Sequence, residues 1–228
     1  MGSFFEKTGD FLFPPRCVLC HTPLPVGTRP LLCEKCTKIN APKKCAKCNQ
    51  PFALFDNIPR CYTCMITGRY YDCAYAAFPY TGTIKTAMIQ FRSHIQKPIG
   101  AALTAVLARN ILDMSLYADC ILCVPIGNRK DRSFHPAEFV AKQLSGHIHV
   151  PFYPNIIAKT KKVKHCTERI DLNIRGMYKI TRPEKIRGKN IILVDDLFIG
   201  GRTAIENARI LKKCGAKTVW VFTLSGGK

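Results

Sequence analysis

No apolar run in this sequence approaches the roughly 18 residues that a membrane-spanning helix needs. The opening stretch, MGSFFEKTGDFLFPPRC, is interrupted by Glu6, Lys7 and Asp10, so it lacks the apolar segment of a secretory signal. These two absences predict a cytoplasmic protein with no membrane insertion. Acidic residues are also scarce: 15 Asp and Glu stand against 35 Lys and Arg, for a formal charge of +20. Solubility does not need so strong a bias. It fits a polyanionic partner, either nucleic acid or phosphorylated small molecules, and an acidic membrane surface less well. A basic surface without a partner is the plainer alternative.

What the chain does have is cysteine, 13 in 228 residues. In a reducing compartment these do not form a disulfide framework. Eight of them fall into four C-x2-C pairs: Cys17 and Cys20, Cys33 and Cys36, Cys45 and Cys48, Cys61 and Cys64. Each half reads C-x2-C-x12-C-x2-C, and the unit recurs after 28 residues, which is an internal repeat. A C-x2-C knuckle grips one edge of a metal, and two knuckles complete a closed tetrahedral thiolate site, the chemistry of structural zinc. Two ions are expected. Sequential pairing and a crossed pairing, first knuckle with third, are both open. Eight thiolates around two zinc ions add about −4, which leaves about +16. Cys120 and Cys123 form a fifth C-x2-C within DCILCVP, a strand pattern that points them to opposite faces, so they read as core thiols. His21 follows Cys20, but four cysteines already fill that site.

Beyond the cysteines, strand and helix patterns alternate. YDCAYAAFPYTGTI is a strand and turn, TIKTAMIQF and PIGAALTAVLARNIL have helical spacing, and DCILCVPI is a strand. FHPAEFVAKQL reads as a helix with Pro136 at its start, IILVD as a strand, TAIENARILKKCG as a helix and TVWVFTL as a last strand. Residues 155–178 show no firm period. The alternation predicts a parallel sheet with both faces covered, and the continuous apolar strands agree. Thr203 and Glu206 have the T-x-x-E spacing of a capping box. Ala204, Ala208, Leu211 and Cys214 make an apolar stripe, and Gly215 suits the position after the helix.

The segment between strand and helix, VDDLFIGGRT, carries the chemistry. It lies at a strand's carboxyl end and a helix N-terminus, where open α/β sheets bind ligands and amides favour anions. Amides from Ile199 to Thr203 could cradle a phosphate. Asp195 and Asp196 would repel that phosphate in direct contact, but suit two neighbouring sugar hydroxyls. A phosphorylated sugar satisfies both halves. An acidic strand end followed by a flexible turn is the alternative.

LVDD followed by G-x-T resembles the phosphoribosyl-pyrophosphate signature of type I phosphoribosyltransferases. The whole chain from about Cys17, with four C-x2-C pairs ahead of that signature, resembles the ComF family of competence-associated proteins, also labelled GntX-like. Val124 and Pro125 with Arg129 and Arg132 resemble the family's VP…R…RGFNQ segment. Residues 173–178 resemble its N-V-x-G-A-F, and Gln90-Phe91 falls where the family has Lys-Phe.

The resemblance implies a type I phosphoribosyltransferase-like parallel sheet flanked by helices, preceded by a small N-terminal double zinc-ribbon module. Residues 1–72 would be the ribbons and 73–228 the transferase-like domain. Asp195 and Asp196 would be the catalytic acids that hold the ribose hydroxyls. Ile199, Gly200, Gly201, Arg202 and Thr203 would hold the 5′-phosphate. Val124, Pro125, Arg129 and Arg132 would face pyrophosphate, with magnesium bridging pyrophosphate and ribose.

The family signature usually reads D-D-x-x-T-T-G-x-T, and this chain reads D-D-L-F-I-G-G-R-T. Each lost hydrogen bond to a charged acceptor costs about 1.5–3 kcal/mol. Two such losses weaken binding by roughly two to four powers of ten. The RGFNQ stretch is also altered, to Arg132-Ser133-Phe134-His135-Pro136.

The expected partners are therefore a phosphoribosyl ligand, single-stranded DNA during natural transformation, and other competence proteins. Turnover of phosphoribosyl pyrophosphate with magnesium is the enzymatic alternative. The basic run Lys159, Lys161, Lys162, Lys164, His165 and Arg169, with Arg182, Lys185, Arg187 and Lys189, fits DNA. Aromatics near these runs are few, which favours phosphate contact over base stacking.

Overall fold

A computed structural model describes residues 14–39, 70–125, 134–160 and 175–227. Four parallel strands form the central sheet: β1 (Cys73–Pro79), β2 (Cys120–Cys123), β5 (Asn190–Ile199) and β6 (Thr218–Gly227), in the order β1-β6-β5-β2. The other two strands, β3 (Ile157–Lys159) and β4 (Tyr178–Ile180), pair antiparallel as a separate ribbon. A short α1 (Glu34–Thr37) follows the first cysteines. The longer helices are α2 (Gly82–Ser93), α3 (Lys97–Asp113), α4 (Pro136–Ile148) and α5 (Arg202–Lys213).

The sheet is buried on both faces, as its unbroken apolar strands predict. On one face Met88, Phe91, Leu103, Leu107, Val140 and Leu144 of α2, α3 and α4 cover Ile121, Ile192, Val194 and Phe222. On the other, Ala204, Ala208 and Leu211 of α5 cover Ile191, Leu193, Val219 and Val221. Cys120 is fully buried in the second cluster, and burial first, then the Asp119 charge, pushes its thiol up to about 11. That is the behaviour of a core thiol. Pro136 occupies the first turn of α4, where no backbone donor is missed, and the Glu138 amide donates to Nδ1 of His135 at 3.0 Å.

Halfway along, the pairing of β6 with both neighbours lapses at Leu224 without a change of register. The β1–β6 register steps from Ala76 opposite Thr223 to Phe78 opposite Ser225. The β5–β6 register steps from Asp195 opposite Thr223 to Leu197 opposite Ser225. Val194 and Leu197, three apart, both pack on the α2–α4 face, while Leu193 and Phe198, five apart, both pack on the α5 face. An odd separation on one face means the strand rolls between them. The roll falls on the two aspartates.

Candidate functional site

The first two cysteine knuckles are built as the spacing predicts, and they pair sequentially. The Sγ atoms of Cys17, Cys20, Cys33 and Cys36 all lie within 4.8 Å of one another. Sγ of Cys20 and Sγ of Cys33 are 3.6 Å apart. A tetrahedron with Zn–S arms of about 2.3 Å has an edge of about 3.8 Å, so four thiolates here fit zinc. The first knuckle is closed by backbone bonds from Cys17 to the Thr22 carbonyl (2.9 Å) and from His21 to the Cys17 carbonyl (2.9 Å). His21 takes a left-handed φ of 59° and stands outside the sulfur cluster. The hydroxyl of Thr22, 3.2 Å from Sγ, lowers Cys20 to about 6. Cys45, Cys48, Cys61 and Cys64 lie outside the described residues.

The acid pair sits on β5, but not at its end. The strand continues four residues past Asp195, because Leu197, Phe198 and Ile199 find partners in Ser225, Gly226 and Gly227. The predicted loop therefore shrinks to Gly200 and Gly201, with φ of 63° and 70°. Two successive left-handed residues suit glycine, since a side chain costs about 1–2 kcal/mol at each. The predicted capping box does not form. Gly201 is the N-cap of α5, and Thr203 lies inside the first turn, its carbonyl accepting from the Asn207 amide at 2.8 Å.

Glu206 is instead buried at 4% exposure. It binds Arg209 through two hydrogen bonds of 2.7 Å and accepts the Gly176 amide at 2.9 Å. Because the helix begins one residue before Thr203, Glu206 is not at the capping position and instead pairs with Arg209 on the same helix. The Arg209 hydrogen bond is the main cause holding the Glu206 carboxyl below its ordinary value.

Around the acids, the roll in β5 brings together what a flat strand would separate. The Asp196 amide donates to Oδ1 of Asp195 at 2.9 Å. Burial, then the nearby charge of Asp196, raises Asp195 well above the usual carboxylate range. Asp196 is 6% exposed, and its Oδ2 stands 2.6 Å from Nε of Arg92, the penultimate residue of α2. That contact is an ion pair without hydrogen-bond alignment. Tyr178 of β4 lies close enough to feel both Asp195 and Glu206, although burial is the larger cause of its raised value. Val124 borders the pair, its amide donating to the Val194 carbonyl at 2.9 Å, and Pro125 follows it. Arg129 and Arg132 lie outside the described residues.

The structure thus brings Asp195, Asp196 and Val124 together, with the glycine turn a few residues further along the same strand. Sequence reasoning missed Arg92 and the role of Glu206, and it reached Tyr178 only as the last residue of the 173–178 match. Arg92 stands next to the Gln90-Phe91 match, but no local spacing links a helix end to a strand far along the chain.

The model of the double zinc ribbon domain family matches residues 8–65. DNA utilization protein YhgH of Shigella flexneri is 25% identical over 225 residues, covering 92% of this chain and 96% of that protein. The same-named protein of Salmonella typhimurium is 23% identical over 224 residues, with the same coverage. Among solved structures, purine phosphoribosyltransferase from Pyrococcus horikoshii superposes with a TM-score of 0.37 at 21% identity, covering 56% of this chain and 73% of that one. The chain is thus similar to a double zinc ribbon over its N-terminal residues and, along nearly its whole length, to DNA utilization proteins.

Proposed function

We propose that this protein serves DNA uptake in natural transformation, binding a phosphoribosyl ligand at the acid pair and single-stranded DNA on its basic surface. The observation that carries the first half is the roll at residues 195–196. It sets two carboxyls side by side, one buried, four residues before a glycine turn that opens a helix N-terminus. Adjacent carboxyls accept vicinal hydroxyls, and the first-turn amides of α5, which lack intrahelical acceptors, favour a phosphate. Residues 199–203, with Val124 and Pro125, form the phosphate and pyrophosphate sides of this proposed site, and Arg129 and Arg132 belong to the same proposal. Residues 1–72 as ribbons and 73–228 as the ligand-binding domain complete it, with one zinc in each cysteine set.

The DNA half is supported by charge and by the names of the similar proteins. Arg182, Lys185 and Arg187 are exposed on the segment before β5, at the sheet end away from the acids. Phosphate contacts of this kind bind without sequence preference and weaken with salt.

Magnesium is the ion that the resemblance implies beside pyrophosphate. The acid pair does not fit it well, because the buried Oδ2 of Asp196 already faces Arg92.

Calorimetry with phosphoribosyl pyrophosphate tests the first half. Saturable binding that disappears in the double variant Asp195→Asn, Asp196→Asn supports it, and no binding to the wild type rejects it. Single-stranded DNA binding whose log affinity falls linearly with log salt supports the second half. Salt-independent binding, or none, rejects it.

A further inference from the structure

Arg92 is held in place with more care than a surface arginine needs. Its predecessor Phe91 is fully buried and packs edge-on against Phe134 at 5.5 Å, with Phe139 at 5.7 Å. The Phe91 ring also lies against Gly100 of α3, where any side-chain carbon would collide with it. The last turn of α2 is therefore pinned, and Arg92 projects from it to Oδ2 of Asp196. The guanidinium side chain is 40% exposed and the carboxylate 9% exposed, so the cation closes the solvent side of a buried anion.

Two adjacent carboxyls in a buried strand need a counter-charge, since an unpaired buried charge is costly. We propose that Arg92 is the resident counter-cation of the acid pair, so that sugar-phosphate binding at this site does not require a divalent cation. This rests on the phosphoribosyl reading above. With Asp195 raised toward its neutral form and Asp196 matched by Arg92, the site carries little net negative charge. An incoming phosphate then meets no repulsion that a metal would have to screen. Arg92 is a positioning residue: it acts through Asp196, orienting its remaining oxygen toward a hydroxyl.

The test uses the full-length zinc-loaded protein and ribose 5-phosphate, which lacks the pyrophosphate that would itself chelate magnesium. Affinity is measured by calorimetry in EDTA-free buffer with and without magnesium, for wild type, Arg92→Gln and Arg92→Lys. The proposal expects magnesium to change wild-type affinity by less than about twofold. It expects Arg92→Gln to lose about tenfold or more without magnesium and to regain it when magnesium is added, with Arg92→Lys close to wild type. Magnesium dependence in the wild type, or Arg92→Gln behaving as wild type, overturns it.

A second readout needs no sugar. Binding of manganese in place of magnesium, followed by electron paramagnetic resonance, should be absent at the acid pair of the wild type and appear in Arg92→Gln. Manganese binding in wild type that Asp196→Asn abolishes overturns the proposal. If ribose 5-phosphate binds no variant but the manganese result holds, the phosphoribosyl reading fails and the role of Arg92 stands.

Discussion

Asp195 carries a penalty that can be read in a stability profile. Its raised folded-state value means that folding favours the protonated form. That contribution is complete below the ordinary carboxylate value of 3.8 and is lost as pH rises through the folded value. Asn cannot ionise. Asp195→Asn should therefore raise Tm relative to wild type at neutral pH, with the gap closing as pH falls toward 4. A thermal-melt series from pH 4 to 8 checks this, and a constant gap would mean that ionisation is not the cause. Gly200 makes a contrasting case. A methyl there meets nothing within 4 Å, so the cost of Gly200→Ala is purely the left-handed φ, about 1–2 kcal/mol in urea unfolding. At this scale the residue types of the site were legible in VDDLFIGGRT, but its electrostatics were not. Arg92 answers Asp196 from another helix, and nothing in the spacing of either segment announces that contact.

Among the elements, the helices and parallel strands followed from apolar spacing, because buried faces impose their period wherever they lie. The strand end did not follow. IGG looked like loop, yet β5 runs to Ile199 because β6 is long enough to pair with it as far as Gly227. The T-x-x-E signal failed because the helix begins one residue before Thr203, which leaves Glu206 to pair with Arg209 on the same helix. Glu206 thereby ties α5 to Gly176, at the root of the β3–β4 ribbon that carries Tyr178 toward the acids. Removing one partner of a buried pair costs about 3–5 kcal/mol. Glu206→Gln should lose stability on that order in urea. It should also speed amide hydrogen exchange at residues 176–178 more than in β1. Uniform exchange across the sheet would argue against a local tie.

For the whole molecule, the first zinc ribbon is continuous with the main core. Cys17, Leu19, Leu24, Leu32 and Cys36 pack in the same cluster as Phe78, Met88 and Leu107. Each fully buried leucine contributes about 1.5–3 kcal/mol. Metal removal should then destabilise more than the ribbon. A strong chelator is expected to lower the Tm of the entire protein in a single transition by differential scanning calorimetry, with zinc restoring it. Two separate transitions, the larger unmoved by chelator, would show independent modules. The cysteine spacing made the metal site plain, but it could not show that the ribbon's leucines belong to the sheet's own core.

That shared core bears on how the protein can be cut. Tyr71 stacks edge-on against Phe198, and Asp72 accepts the Val219 amide while pairing with Lys212. A fragment beginning at Cys73 would shed both anchors and leave the ribbon-facing flank of Phe78 and its neighbours bare to water. Such a truncation is a recipe for aggregates, and anyone trimming this chain for study would do better to keep the metal-binding segment attached.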